Sequence, residues 1–237
     1  MVSRRSVLGL AAGLPLADAA QSANRRLHVV VAGGHPDDPE TGAGGTMARY
    51  AASHDVTCLY FTRGEAGIAG KSHEEAARIR TAEAEEACRI LRARPVFAGQ
   101  IDGSSEITPA RYEQIHQLIS GLQPDIVFTH FPVDTHRDHR HISLMVYDSW
   151  LRSHSAYPLY YFEVDTGEQT QNFHPTDYVD ITAVEPIKRK AVFAHSSQGP
   201  VEMYAYHEKM SRFRGLECRV EHAEAFVWAG PRQISWA

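Results

Sequence analysis

The chain has 237 residues, of which 43% are hydrophobic, and this is enough apolar material for one sizeable core. The formal net charge is −5 and the pI is near 6.3. Nucleic-acid binding normally needs a basic patch, so these values argue against nucleic acid as a partner. We therefore expect a single domain over 24–237, preceded by a short leader.

The first 23 residues have the pattern of a twin-arginine export signal. Arg4-Arg5 precede an apolar stretch at 7–16, and Ala17-Asp18-Ala19 has the character of a cleavage site. The apolar stretch is too short to span a bilayer, so we expect no stable membrane anchor in the mature form. The prediction is an exported, periplasmic or extracellular protein. The alternative is an N-terminal helix that stays on the protein.

Short apolar runs alternate with helical patterns along the rest of the chain. Strands are expected at 27–32, 55–62, 95–98, 125–129, 158–164, 178–182 and 221–228. Helices are expected at 72–93, 109–122, 136–153 and 183–194. This alternation predicts an α/β, Rossmann-like three-layer fold with a mostly parallel sheet. The polar stretch 165–176 is expected to be a loop beside the site.

Two polar clusters follow strands of this predicted sheet. His35-Pro36-Asp37-Asp38 comes after the first strand, and His136-Arg137-Asp138-His139 comes after the fourth. In the common doubly wound order these two strands are neighbours at the point where strand order reverses. Ligands bind at that edge of the sheet, so we expect the two clusters to meet there.

The residue types in the two clusters suit a catalytic metal site. A catalytic zinc takes about three protein ligands and keeps one position for water, whose pKa falls to roughly 7. His35 and Asp38 are three residues apart, so one turn can aim both at a single point, and His139 completes the set. Zinc is the predicted metal. Ferrous iron is the alternative, because two histidines and a carboxylate also hold that ion.

The remaining polar residues of the clusters have predicted catalytic roles. Asp37 lies beside two ligands and suits a base that takes a proton from water. His136 is placed to polarise a carbonyl or to stabilise its tetrahedral oxyanion. Asp138 suits a partner that orients a histidine, since metal-bound imidazoles usually donate their free N–H to a carboxylate.

Other readings of the same residues stay open at this point. Carboxylates at a helix start are often ordinary caps. The glycines after the first strand suggest a dinucleotide-binding site as an alternative, although their spacing is not GxGxxG. The serines after His195 raise a serine hydrolase, although no GxSxG turn surrounds them. Metal-assisted phosphoester cleavage would favour a second set of ligands, and none is obvious in the sequence.

Taken together, the motifs resemble the PIG-L (LmbE-like) family of zinc-dependent N-deacetylases. The resemblance rests on HPDD, on GAGGT at 42–46, on TRGEAG at 62–67, on HRDH and on HSSQ at 195–198, and it covers roughly 27–228. It implies removal of an N-acetyl group from an N-acetylglucosamine-type sugar, hence a small-molecule or glycan substrate. By the resemblance the zinc ligands are His35, Asp38 and His139, the general base is Asp37, and His136 assists at the tetrahedral intermediate.

Three further residues are candidates for substrate binding. Arg63 lies in a glycine-flanked loop after the second strand, and thus at the ligand-binding edge. Arg80 lies three residues before Glu83, and this spacing alone favours a surface ion pair. By the family resemblance, however, Arg80 is presented to the substrate. His195 is a pocket-lining group by the same resemblance, or else a helix C-terminal residue interacting with the dipole.

The chain departs from the family pattern at two places, of which the first concerns the substrate and the second should matter little for metal ligation. Val133-Asp134-Thr135 stands where some members place a tyrosine or arginine, and Arg137 replaces a frequent proline. Alternative functions are a non-catalytic carbohydrate-binding protein on this fold and a metal-dependent amidase acting on a non-sugar amide. The three cysteines lack metal-type spacing and are interpreted as core residues. The oligomeric state is not predicted.

Overall fold

The structure is a computed structural model that describes residues 25–230, and the predicted export signal lies outside them. Within this range the chain forms seven strands and six α-helices. Strands β1 to β7 span His28–Gly33, Asp55–Tyr60, Arg94–Phe97, Ile126–His130, Leu159–Phe162, Asp177–Asp180 and Ala223–Trp228. Helices α1 to α6 span Asp38–Tyr50, His73–Leu91, Pro109–Leu122, Arg137–Arg152, Glu185–Val192 and Pro200–Cys218. None of these helices is both long enough and apolar enough to cross a membrane.

All seven strands form one sheet in the order β3-β2-β1-β4-β5-β7-β6. Strands β1 to β5 are mutually parallel, and β7 runs antiparallel to both of its neighbours. The register pairs Val29 with Ile126 and Ala32 with Thr129. The predicted mostly parallel sheet is confirmed, and β1 lies directly beside β4, as expected from the doubly wound order.

The sheet carries an apolar core on each face, because β1 is apolar on both sides. Val29 and Val31 belong to one core, which includes Met47 of α1 and Ala84 and Ala87 of α2. Val30 and Ala32 belong to the other, together with residues of α3 and α4 such as Ile142. Alternate side chains of a strand point to opposite faces, so this division gives the three layers of the predicted Rossmann-like fold.

Helix α1 begins with the last residue of the first motif and is broken at Ala43. Ala43 has φ −144° and ψ 17°, so the backbone leaves the helical region there. The amides of Gly45 and Thr46 beyond the break donate to the Glu224 carboxylate of β7 at 2.8 and 2.7 Å. Lys188 Nζ lies 2.6 Å from Glu224 Oε1, and both side chains are buried. A buried ion pair therefore caps the second half of α1.

Helix α6, with 19 residues, is a long element that the sequence analysis does not predict. Its apolar residues lie on several sides of the helix: Tyr204 is buried, whereas Phe213 is 56% exposed and Leu216 is 77% exposed. An amphipathic helix is recognised in a sequence by a single apolar stripe along one side. Because the apolar residues of α6 lie on several sides, no such stripe is present.

Candidate metal centre and active site

The turn between β1 and α1 brings His35 and Asp38 together. The His35 amide donates to Asp38 Oδ2 at 2.7 Å, and Pro39 occupies the first turn of α1, where a missing N–H costs nothing. Gly34 is required at this turn: a Cβ atom there would lie 2.8 Å from the His139 ring. The backbone therefore passes close to a side chain from α4, across the boundary between β1 and β4.

Three ligand atoms converge where the two motifs meet. His35 Nδ1 lies 3.2 Å from Asp38 Oδ2, His139 Nε2 lies 3.3 Å from the same oxygen, and the two nitrogens are 3.3 Å apart. Three corners of a tetrahedron around an ion with bonds of about 2.0–2.1 Å are separated by about 3.3–3.4 Å. The triangle thus has the dimensions of a tetrahedral metal site with one corner open.

The outer nitrogens of both histidines face carboxylates. His35 Nε2 lies 3.1 Å from Asp102 Oδ1 and 3.3 Å from Asp138 Oδ2, and His139 Nδ1 lies 3.3 Å from Asp134 Oδ1. Because an ionised carboxylate only accepts, these contacts favour protons on the outer nitrogens. The inner nitrogens then turn lone pairs toward Asp38 Oδ2, and three mutually facing acceptors need a cation or protons between them.

The pKa values of His35, Asp38 and His139, here called the triad, reflect this need for positive charge between them. Burial alone would lower the pKa of His139, but the Asp38 charge and the contacts with Asp134 and Asp38 raise the pKa to about 9. The pKa of His35 is likewise raised despite burial, by Asp102, Asp138 and Asp38. Burial opposes ionisation of Asp38, yet the neighbouring histidines hold its pKa well below the usual range. These pKa directions all favour positive charge beside Asp38 Oδ2, which is the charge that a divalent cation would supply.

His130, at the end of β4, is a further histidine at this centre that the sequence analysis did not select. Its Nε2 lies 3.2 Å from Asp38 Oδ2, and its ring stacks on His139 with centroids 3.9 Å apart. The same Nε2 accepts from the Gly34 amide at 3.1 Å, so its lone pair is already engaged. Burial lowers the pKa of His130 to about 4. The set with His35 therefore suits an ion better than the set with His130.

Asp37 adjoins the triad in a strained conformation. Its φ is 113°, in the left-handed region that non-glycine residues rarely adopt. Arg80 Nη2 donates to Asp37 Oδ2 at 2.8 Å and also to the Pro36 carbonyl. Burial raises the pKa of Asp37, although the Arg80 charge opposes that rise. A base needs a pKa closer to neutral than that of a free aspartate, and burial moves Asp37 in that direction.

Arg80 is 3% exposed and lines the cavity, so the surface ion pair with Glu83 that its spacing favoured is wrong. Gly64, with φ +68°, leaves room for the guanidinium, which a side chain at this position would strike. Glu83 instead accepts from Ser196 Oγ at 2.8 Å and from the Ser197 amide at 2.7 Å. The serines after His195 therefore anchor a turn, which is a structural role.

A cavity of about 480 Å³ opens above the triad. The His136 ring lies at its edge, 4.6 Å from the rings of both His35 and His139. His136 Nδ1 accepts from the Asp138 amide at 3.3 Å, which leaves Nε2 to carry the ring proton. Burial lowers the pKa of His136, so the neutral ring is the donor present near pH 7. The polar residues that line the cavity include Asp37, Asp102, Asp165, Gln169, Gln198 and His207.

The structure brings most of the predicted site residues together, with two exceptions. Among the described residues that line the cavity, neither Arg63 nor His195 is found. The exposed Arg63 guanidinium lies over the Phe97 ring at 5.5 Å. His195 is fully buried, with Nε2 3.6 Å from Glu40 Oε2, so it stands behind the site. Asp102 and Asp134 were missed, although each follows a strand end, as the selected residues do.

Sequence comparison places this geometry in a known family. The family described as GlcNAc-PI de-N-acetylase (PIG-L) matches residues 29–150, about half of the chain. The chain belongs to the PIG-L family. The resemblance seen in the motifs is thereby confirmed, and so is the prediction of a hydrolase of the N-deacetylase type.

Members and structural neighbours of the PIG-L family extend the match beyond residue 150. The diacetylchitobiose deacetylase of Thermococcus kodakarensis is 29% identical over 195 residues, which is 75% of this chain and 72% of that protein. The N,N'-diacetylchitobiose deacetylase structure from Pyrococcus horikoshii has a TM-score of 0.75 at 24% identity, covering 85% of this chain and 83% of that one. GalB from Pseudomonas putida, a 4-carboxy-2-hydroxymuconate hydratase, has a TM-score of 0.78 at 20% identity, covering 89% and 99%. The two structural likenesses establish the fold.

Proposed function

We propose that this protein removes the N-acetyl group from an N-acetylglucosamine-type amino sugar or its conjugate, releasing acetate and a free amine. The observation that carries the proposal is the triangle of His35 Nδ1, Asp38 Oδ2 and His139 Nε2 at the floor of a cavity that also holds Asp37 and His136. This combination supplies a metal site, a base and an oxyanion donor within one pocket.

Zinc is the proposed metal, and His35, Asp38 and His139 are its proposed ligands. Their donor set of two imidazoles and one carboxylate is common in catalytic zinc sites. A bound zinc ion would lower the pKa of a water and polarise the acetamide carbonyl. Asp102 and Asp138 would fix the His35 ring, and Asp134 would fix the His139 ring, because each carboxylate faces the outer nitrogen.

The proposed reaction is addition of water to the acetamide carbonyl followed by loss of the amine. Asp37 accepts one proton from the attacking water, and Arg80 holds the carboxylate in place through its 2.8 Å bond. His136 donates its Nε2–H to the oxygen that becomes negative at the tetrahedral carbon. The C–N bond then breaks, Asp37 returns its proton to the leaving nitrogen, and acetate and the amine depart.

The charge of the cavity supports a neutral substrate. Of the residues within 25–230 that line it, Arg80 is the only lysine or arginine, and it is already paired with Asp37. Asp37, Asp102 and Asp165 also face the cavity, and they would repel a carboxylated substrate such as the 4-carboxy-2-hydroxymuconate for which GalB is named. Uncharged hydroxyl groups suit these acceptors, and the named sugar substrates of the deacetylase relatives have them.

Acetate release from N-acetylated sugars is the experiment that tests the proposal. The purified protein, stripped of metal and reloaded with zinc or, anaerobically, with ferrous iron, is incubated with N-acetylglucosamine and N,N'-diacetylchitobiose. We expect acetate and free amine in equal amounts with the loaded protein and none with the stripped protein.

Two outcomes would contradict the proposal. A loaded protein that binds these sugars, measured by calorimetry, but releases no acetate is a carbohydrate-binding protein. A loaded protein that cleaves simple N-alkyl acetamides faster than any sugar is an amidase for a non-sugar amide.

A further inference from the structure

The wall of the cavity opposite the first motif comes from the second half of the chain. Asp165 follows β5, and His207 lies on α6, outside the residues 29–150 that define the family match. His207 Nε2 lies 3.2 Å from Asp165 Oδ1, and the His207 side chain is almost fully buried. The two residues form a polar pair that faces into the same cavity as the metal triad.

Backbone hydrogen bonds hold this wall in a fixed shape. The Asp165 carbonyl accepts from the amides of Glu168 and Gln169 at 2.9 and 2.8 Å, which closes a tight turn. Asp165 itself has φ 40°, a left-handed value that aspartate and asparagine tolerate better than most residues. Tyr206 Oη donates to the Thr166 carbonyl at 2.5 Å and so ties α6 to the turn.

The same turn is attached to the metal centre. Thr170 Oγ1 donates to Asp134 Oδ2 at 3.1 Å, and the other oxygen of Asp134 faces His139. The Thr135 amide, just before the second motif, donates to the Gln169 carbonyl at 3.0 Å. The distance between the wall and the reacting acetamide is therefore set by the fold, which is what a recognition element needs.

We infer that Asp165, held by His207, binds a ring hydroxyl of the sugar and so selects polyhydroxylated substrates over simple acetamides. The inference rests on the proposed function. His207 engages Oδ1 and leaves Oδ2 to accept from a hydroxyl, and a hydrogen bond to a charged group is stronger than one between neutral groups. The Asp165 side chain is 30% exposed, so Oδ2 is open to a ligand in the cavity, and an analogue that lacks the hydroxyl forgoes this charge-assisted hydrogen bond.

The test compares a sugar with an acetamide that has no hydroxyls. Asp165→Asn is the variant of choice, because asparagine tolerates the left-handed backbone and has nearly the same shape. With N-acetylglucosamine we expect KM to rise about 10–100-fold while kcat changes by less than about twofold. With N-acetylcyclohexylamine we expect kcat/KM to equal that of the wild type. Asp55→Asn, at the exposed start of β2, is the matched control.

Deoxy sugars identify the hydroxyl. Among 3-, 4- and 6-deoxy-N-acetylglucosamine, one should show a raised KM with the wild type and no further rise with Asp165→Asn. Removing either partner abolishes the same hydrogen bond, so the effects of the two changes on KM do not add. Unchanged kinetics on N-acetylglucosamine, or an equal loss on N-acetylcyclohexylamine, would overturn the inference while leaving the proposed function intact. Absence of acetate release by the wild type from every sugar would instead refute the proposed function.

Discussion

Arg80 Nη2 lies 2.8 Å from Asp37 Oδ2, although 43 residues separate the two along the chain. The pair is buried at the cavity, and Arg80 also donates to the Pro36 carbonyl, so a single guanidinium fixes both the backbone and the carboxylate of the first motif. A carboxylate in this position has one orientation open to it, which is what proton transfer to a neighbouring atom requires.

Replacement of Asp37 should lower kcat by orders of magnitude without loss of metal. Asp37→Asn retains the shape but not the base, and general acid–base catalysis typically contributes about 10²–10⁴-fold. We expect kcat to fall by that factor while elemental analysis finds the metal content of the wild type. Wild-type activity in this variant would eliminate Asp37 as the base, and a loss of metal would make it a ligand instead.

Arg80 should matter through geometry as well as charge. Arg80→Lys keeps the charge, but both bonds come from Nη2 at the tip of the guanidinium, and the shorter lysine side chain cannot place its nitrogen at that point. A misplacement of about 1 Å near the reacting atoms lowers the rate about 100-fold, so we expect kcat of Arg80→Lys to be lower than that of the wild type by up to about this factor. Arg78→Lys, on the exposed side of the same helix, serves as the control. Equal kinetics for Arg80→Lys and the wild type would argue against the positioning role.

The two overlapping sets of ligands can be separated by substitution. His139→Ala and His35→Ala each remove a corner of the 3.2–3.3 Å triangle, so purified protein should contain little metal. His130→Ala removes a ring whose Nε2 is engaged by the Gly34 amide, so metal content should stay near that of the wild type. Loss of metal in His130→Ala together with wild-type metal content in His35→Ala would move the site to Asp38, His130 and His139.

Metal binding should release protons near neutral pH. The pKa of His139 is raised to about 9 and that of His35 is also raised, so both imidazoles favour the doubly protonated, cationic form in the metal-free protein. An ion must displace the protons on the nitrogens that face Asp38, so proton release should accompany metal binding. Affinity should therefore rise as the pH increases toward 9. Calorimetric titration in buffers of different ionisation enthalpy counts the protons, and a count of zero at pH 7 would contradict these pKa directions.

The ion pair behind α1 should contribute strongly to stability. Glu224→Ala leaves the buried Lys188 ammonium without its partner, and breaking such a pair costs about 3–5 kcal/mol in the free energy of unfolding. For a chain of this size that corresponds to a fall in Tm of about 6–20 °C. Glu217→Ala, on the more exposed side of α6, is the comparison. Equal Tm values for the two variants would contradict the capping role of Glu224.

The proposed metal ligands could be predicted from the sequence, because each of the two motifs is a short, continuous stretch of the chain. His35 and Asp38 lie in one turn, and His139 follows a strand that the doubly wound order sets beside the first. The strands and most helices followed from their apolar periods, and their ends differ from the predicted ones by a few residues, since fraying and capping decide the last turn.

Other features depend on partners that are distant in the chain. Glu224 caps a break in α1 from 178 residues away, and no local pattern marks that contact. Arg80 looked like a surface residue because its spacing to Glu83 is that of an ordinary helical ion pair. Arg80 is instead buried, and whether a helix residue is buried depends on which distant parts of the chain pack against that face of the helix. The apolar residues on every side of α6 concealed that helix in the same way.

Two different stretches of the chain supply the proposed catalytic residues and the proposed sugar-binding residues of the cavity. Every proposed ligand and proton carrier lies between residues 35 and 139, whereas Asp165 and His207 come from a later stretch that touches the earlier one at Thr170 and Asp134. Variation at positions 165 and 207 would therefore redirect the enzyme toward other sugars while leaving bond cleavage untouched. On the inferred role of Asp165, a combinatorial library confined to those two positions should yield variants with changed substrate preference.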